Sequence, residues 1–368
     1  MIKIKSIEVY KFDLPLKEGR YNWSHQSSVS VFDSTIVKIN TNKDIFGFGE
    51  VCTLGPAYLP AYPEGVRAGI KKFGNSLLGM DPTNLSEINI QMDRNLKGHN
   101  YVKSSIDMAC WDILGKYTKQ PLWKMLGGKF GNEVKLYRAI SQESSKEMSK
   151  KVKKYKKEGY SKFQLKVGGN PDEDIERIKL VRSILDKKDV LVADANTGWL
   201  MHDALNVING IKELDVYVEQ PCMSYNENLS VRKKTNKPFI LDESIDSVDS
   251  LLRAYHDKAM DIINIKISKI GGITKTKLLR DLCIELGIAM TIEDSWGGDI
   301  ATSAISHLAH STPEKFRFSS TDFNSYNNVN YSKGAPQRKN GSFEASNNYG
   351  LGIEVNEKKL GKPAFIIL

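Results

Sequence analysis

Eight short apolar runs recur about every 23–28 residues from residue 134 onward: VKLYRAI, KFQLKVG, VLVADAN, DVYVEQP, PFILDES, DIINIKISK, AMTIEDS and FRFSSTD. Each has the length of a strand rather than a helix, and nearly all end in a polar residue or glycine. Amphipathic helical stretches lie between most of them. The clearest is NPDEDIERIKLVRSILD. There Asn170 is a candidate N-cap, Pro171 stands in the first turn, and Ile175, Ile178, Val181 and Leu185 repeat at helical spacing. Strand–helix units in series, eight of them, predict a (β/α)8-type barrel. A doubly wound open sheet has a similar rhythm, but the count and the polar strand ends favour the barrel.

The chain before about residue 128 has a different texture. Two strand-like runs, KIKSIEVYKFDL and DSTIVKINTNKDIFGFGEV, flank the polar, aromatic connector PLKEGRYNWSHQSSVSVF. That connector is too long for a hairpin turn and reads as a mobile functional loop. Helical patterns follow and end in SSIDMACWDILGKY, where Ile106, Ala109, Trp111 and Ile113 suit a buried helix. Leu126–Gly128 marks a break. An α+β unit is therefore expected over 1–128 and the barrel over 129–339, with the tail from about 340 to 368 returning to the first unit.

Composition narrows the class of protein. No run of about 18 apolar residues occurs, so no membrane span is expected, and the N-terminus lacks the apolar block of a signal peptide. Cys52, Cys110, Cys222 and Cys283 are scattered without a CxxC pair, which argues against structural zinc and a disulfide framework. A cytoplasmic setting is the expectation. The formal charge of +9 raises the question of a nucleic-acid partner. The lysines, however, are interspersed with acids. The densest run, SKKVKKYKKEGY, carries Val152 and Tyr155 at helical spacing, as a solvated helix face would, and no nucleic-acid partner is expected.

One lysine raises a sharper question. Lys166, in FQLKVGG, stands where its strand should still be inside the protein, and burying an ammonium is costly unless it is paired or used. Barrel enzymes work at the C-terminal ends of their strands. Taking the last inward residue of successive runs gives Lys166, Asp194, Glu219, Asp242, Lys266 and Asp294. The three carboxylates Asp194, Glu219 and Asp242 fall on consecutive strands, roughly 5 Å apart, and would repel one another without a cation. An all-oxygen set suits Mg²⁺ better than Zn²⁺. Lys166 and Lys266, on strands two and six, would face each other across the mouth. Two such bases suit abstraction of the proton next to a carboxylate, with the ion stabilising the enediolate.

With these motifs in place, the chain resembles the mandelate racemase and muconate-lactonizing enzyme group of the enolase superfamily. The resemblance runs through SIDMACWD, LGG, VADANTGW, EQP, LDES, IKISKIGGIT, IEDSWGGDI and GLGIEV, and covers nearly the whole chain. It implies an α/β fold, a modified (β/α)7β TIM barrel whose last unit lacks a regular helix, with an N-terminal α+β capping domain. It also implies Mg²⁺ on Asp194, Glu219 and Asp242, acid/base roles for Lys166 and Lys266, a small carboxylate substrate, and assembly as dimers or octamers. One departure stands out. The group commonly shows Lys-x-Lys on strand two, and here the first place is Gln164, so less depression of the Lys166 pKa is expected from that neighbour. His307 and His310 read as helix residues rather than catalysts.

The stretches GPAYLPAY and SWGGD resemble members of the group that act on proline betaines or hydroxyprolines. Candidate substrate-binding residues are Gln164, Asn196, Asp294, Trp296, Asp322, Phe323, Trp23 and Tyr58, with His25 in the capping loop. Asp294 and Asp322 would suit a cationic amine by charge, and Trp296 or Phe323 by cation–π contact. Racemisation or epimerisation of an amino-acid derivative is the first reading. Dehydration of a hydroxyproline or an acid sugar is the second. A non-catalytic barrel would have lost a lysine or a carboxylate of the set, and none is lost. GGITK, which could suggest a phosphate site, is read as a structural turn.

Overall fold

The computed structural model describes residues 1–368. Its centre is an eight-stranded parallel sheet in sequential order: Tyr137–Ile140, Lys162–Lys166, Val190–Asp194, Tyr217–Glu219, Phe239–Leu241, Ile262–Lys266, Ala289–Glu293 and Arg317–Ser320. Seven helices follow the first seven strands, but the eighth is followed only by the 3-10 turn Phe323–Tyr326. The architecture is the (β/α)7β form, and a full helix after the eighth strand does not exist. Local chemistry sets the helix starts as expected. The Asn170 side chain accepts from the backbone N–H groups of Asp172 and Glu173 at 3.0 and 3.2 Å, with Pro171 next in line.

Strand alternation decides which side chains reach the interior. In-register residues of a parallel sheet share a face, and Lys166 pairs with Asp194, Asp194 with Glu219, and Lys266 with Glu293. Below this rim Val192, Ile240 and Ile262 form a small apolar layer inside the barrel. The opposite parity, including Leu165, Ala193, Val218, Leu241, Ile265 and Ile292, belongs to the large core beneath the helices.

The capping domain is an antiparallel sheet in the order Phe365–Ile367, Ile4–Pro15, Val31–Thr41, Phe46–Cys52, covered by helices Pro63–Phe73, Leu85–Asn95 and Asn100–Thr118. The last of these helices is buried almost all round, because one side packs on the sheet and the other on the barrel. Gly49 lets the sheet approach it: a Cβ there would lie 1.8 Å from the Ser105 carbonyl oxygen. On the barrel side Asp107 accepts from the Thr274 N–H at 2.9 Å and the Thr274 hydroxyl at 2.6 Å, at the start of helix Ile273–Glu285. GGITK is therefore a helix start held by a carboxylate from the other domain.

The connector after Pro15 is not an irregular loop. Tyr21–Trp23 and Ser27–Val29 form a hairpin whose turn residues His25 and Gln26 both have φ of 56°. The hairpin lies over the barrel rim. The Asn22 N–H donates to the Ser141 hydroxyl at 2.8 Å, and the Ser24 hydroxyl donates to the Asn196 carbonyl oxygen at 2.8 Å.

Candidate active site

Lys166, Asp194, Glu219, Asp242 and Lys266 all reach the interior at the C-terminal rim, and all are buried. Lys166 forms an ion pair with Asp194 and Lys266 one with Asp242. Burial lowers the pKa of both lysines, but the Asp194 charge reverses this for Lys166, and the Asp242, Glu293 and Glu243 charges reverse it for Lys266. Both end well above the ordinary lysine value. Burial raises the Asp242 carboxyl, yet Lys266 and Lys269 more than offset it and hold it below the usual range. For Glu219, burial and then the Asp194 charge push the carboxyl well up, and the Lys166 charge is not enough to offset them. Its oxygens accept from Gln164 Nε2 at 3.0 Å each and from Asn264 Nδ2 at 2.7 Å.

Three groups at this rim were not identified from the sequence. Lys269, on the turn Ile267–Ile270, donates to Asp242 Oδ1 at 2.9 Å. Glu243 accepts from Asn196 Nδ2 at 3.0 Å, keeps Oε2 buried without a partner, and is pushed up to about 8 by burial and by Asp242 and Asp194. Glu293 pairs in register with Lys266 and accepts from the Tyr137 hydroxyl. Parity along AMTIED would have found Glu293, since Met290 and Ile292 face the helices.

Five carboxylates (Asp194, Glu219, Asp242, Glu243 and Glu293) thus meet three ammonium groups (Lys166, Lys266 and Lys269). Fully ionised, the set would carry two more negative than positive charges. Without a cation, protons on Glu219 and Glu243 take up that surplus, in line with their raised pKa values, and one divalent cation would offset it instead. No three acidic, histidine or cysteine side chains gather around a single point in this arrangement, since the lysines occupy Asp194 and Asp242. The fit to a hard cation therefore rests on the oxygen-only donors and this charge imbalance.

A small cavity adjoins the two lysines, lined by the capping-domain residues Tyr21, Leu54 and Tyr58 and by barrel residues including Tyr137, Gln164, Glu293, Trp296 and Phe323. The Tyr58 hydroxyl donates to Asp242 Oδ2 at 2.8 Å and accepts from Lys266. Trp296 stacks on Phe32 with ring centroids 4.4 Å apart and meets Phe323 in a tilted contact at 4.8 Å.

Several expected substrate contacts fall elsewhere. Asp294 is not the inward residue of its strand: it accepts from the Ser268 N–H at 3.1 and 3.2 Å, the Ser295 N–H at 2.7 Å and the Ser268 hydroxyl. It edges the cavity with its carboxylate already used. Asp322 lies outside the cavity, between the Tyr160 hydroxyl at 3.1 Å and Arg338 at 3.9 Å. Its negative charge already faces a guanidinium. Trp23 is buried in the hairpin, and Tyr21 from the same strand reaches the cavity instead. His25 is exposed. His307 and His310 sit in helix Asp299–His310, away from the rim. His307 accepts from the Trp123 N–H at 3.2 Å and bonds the Leu351 carbonyl oxygen at 3.0 Å.

Comparison with known proteins agrees with this geometry. Residues 15–127 match the mandelate racemase/muconate lactonizing enzyme N-terminal domain, and residues 147–359 match the enolase C-terminal domain-like family. The chain is 55% identical to a cis-3-hydroxy-L-proline dehydratase of Roseibium aggregatum over 362 residues, covering 98% of this chain and 99% of that protein. It is 32% identical over 312 residues to an L-Ala-D/L-Glu epimerase of Clostridium acetobutylicum, covering 83% and 86% of the two. A mandelate racemase/muconate lactonizing enzyme crystal structure from Roseovarius nubinhibens ISM superposes with a TM-score of 0.97 at 36% identity, covering 100% of this chain and 99% of that one. An enolase-superfamily structure from the same organism, complexed with magnesium, superposes with a TM-score of 0.94 at 33% identity over the full length of both chains. The two matched domain models, the full-length relatives and the barrel rim agree: the chain is an enzyme of the mandelate racemase/muconate-lactonizing enzyme family within the enolase superfamily.

Proposed function

We propose that the protein is a Mg²⁺-dependent dehydratase of cis-3-hydroxy-L-proline. The observation that carries the reading is the pair Lys166 and Lys266, on strands two and six of an eight-stranded barrel and both lining one small cavity. In a cis-3-hydroxyproline the hydroxyl and the carboxylate share one face of the ring, so the α-proton lies on the other. Elimination then needs a base on one face and an acid on the opposite face, which two lysines across a barrel supply.

Asp194 and Asp242 hold Lys166 and Lys266 charged while they pair with them. A carboxylate engaged by the cation would release its lysine, which as the neutral amine takes the proton from C2. The electron pair of that C–H bond shifts into the carboxylate and then forms the C2=C3 double bond. The C3–O bond breaks, and the other lysine, as the ammonium, hands its proton to the departing hydroxide, which leaves as water. The cyclic enamine tautomerises to the cyclic imine. Asp194, Glu219 and Asp242 would hold Mg²⁺, which when bound supplies positive charge to the carboxylate as it takes up electrons. Tyr21, Leu54, Trp296 and Phe323 exclude water from the ring. Tyr21, Tyr58, Tyr137, Trp296 and Phe323 give the lining aromatic faces that suit the apolar edge of a ring.

Epimerisation at the α-carbon, the first reading of the sequence, uses the same lysine pair and is the second reading here. The relative spanning nearly the whole chain at 55% identity favours elimination. The test is proton NMR in deuterated water with Mg²⁺ and cis-3-hydroxy-L-proline, trans-3-hydroxy-L-proline or L-proline. The expected result is conversion of the cis isomer to the cyclic imine and no elimination from the trans isomer, with Lys166→Ala and Lys266→Ala each inactive. Deuterium at C2 with inversion and no loss of water would replace this reading by the epimerase one.

A further inference from the structure

We propose that Glu293 accepts the ring ammonium of the substrate and so selects amino acids over acids that lack the amine. The inference rests on the reading that the cavity binds a cyclic amino acid. A desolvated ammonium needs a counter-charge, because burying it unpaired is costly. Two carboxylates line the cavity, Glu293 and Asp294. Asp294 is already engaged by the Ser268 and Ser295 N–H groups and the Ser268 hydroxyl. Asp194, Glu219 and Asp242 belong to the cation, and neither Glu243 nor Asp322 borders the cavity.

Glu293 has the opposite character. It is 2% exposed, its Oε2 is fixed by the Tyr137 hydroxyl, and its Oε1 faces Lys266 Nζ at 3.6 Å, beyond hydrogen-bond distance. The substrate nitrogen is one bond from the carbon whose proton a lysine removes, so a carboxylate oxygen that faces Lys266 without a hydrogen bond to it is positioned for that nitrogen. Tyr137 acts through Glu293 and is a positioning residue.

The test compares two ligands of one shape, L-proline and the tetrahydrofuran-2-carboxylate of the same configuration, in which oxygen replaces the N–H. Binding to the Mg²⁺-loaded protein is measured by calorimetry for the wild type, Glu293→Gln and Glu293→Asp. The wild type should prefer proline by about 100-fold or more, as sites built to pair a buried polar group do. Glu293→Gln should weaken proline and leave the oxygen analogue unchanged, reducing the preference below about tenfold. Glu293→Asp should retain an intermediate preference. No preference in the wild type, an unchanged preference in Glu293→Gln, or equal weakening of both ligands would overturn the assignment. The last outcome is the one expected if Glu293 served only to orient Lys266. The readout needs no turnover, so absence of dehydration would sink the dehydratase reading and leave this one standing.

Discussion

Replacing Gln164 by leucine tests how the barrel holds Glu219. Gln164 Nε2 donates to both Glu219 oxygens at 3.0 Å, and Asn264 is the other donor at 2.7 Å. Leucine keeps most of the volume and removes the donor. Hydrogen bonds to a charged group contribute about 1.5–3 kcal/mol each. The loss should therefore weaken Mg²⁺ binding about 10–100-fold, the range expected when a partner that orients a ligand is removed. The sign is set by charge. Burial and the Asp194 carboxylate already favour the neutral Glu219, and losing a donor favours it further, so a proton competes better with the cation. The assay is a Mn²⁺ titration followed by electron paramagnetic resonance, with thermal melting as a folding control. Cation affinity within twofold of the wild type in a folded Gln164→Leu protein would refute the reasoning, because Glu219 would then need no help from Gln164 or would not be a ligand.

Tyr58→Phe removes a hydroxyl that bridges Lys266 and Asp242. It should lower kcat by about tenfold with little change in melting temperature, and steady-state kinetics with a melting curve check both. Asp107→Ala strips the start of helix Ile273–Glu285 of its acceptor and leaves buried donors on Thr274 and Asn89. It should cost about 2–3 kcal/mol in urea denaturation, and a loss under about 0.5 kcal/mol would mean that the domains are held by other contacts. His307 is buried neutral, its pKa lowered from 6.5 to about 4 by desolvation. The unfolded chain therefore binds the proton first, so stability is full above about pH 6.5 and falls by about 1.4 kcal/mol per pH unit, some 3 kcal/mol in all, as pH drops towards 4. His307→Gln should flatten the fall between pH 6.5 and 4 in urea midpoints, and identical slopes in the two proteins would exclude the mechanism.

What could be read from the sequence follows one physical divide. Strand parity has period two and is local, so KFQLK, VLVAD, YVE and INIK place Lys166, Asp194, Glu219 and Lys266 inward without knowledge of the rest of the fold. At strand seven the polar residue nearest the strand end, Asp294, is not the inward one, because parity leads from Thr291 to Glu293. Asp322 likewise falls off the inward parity that runs through Ser319, and meets Tyr160 and Arg338. The remaining contacts are tertiary and left no local signal. GPAYLPAY marks Tyr58 as a candidate by resemblance, but its partners, Asp242 across 184 residues and Lys266 across 208, cannot be read from that loop. Lys269 meets Asp242 because a short helical turn follows strand six. Lys266 consequently has partners on strand five, on strand seven and on the capping domain. Its position is a property of one strand, but its raised pKa comes from the Asp242, Glu293 and Glu243 charges elsewhere on the barrel rim, and the capping domain adds the Tyr58 hydroxyl as a hydrogen-bond partner, so neither the charge nor the contacts of this base are legible in INIK alone.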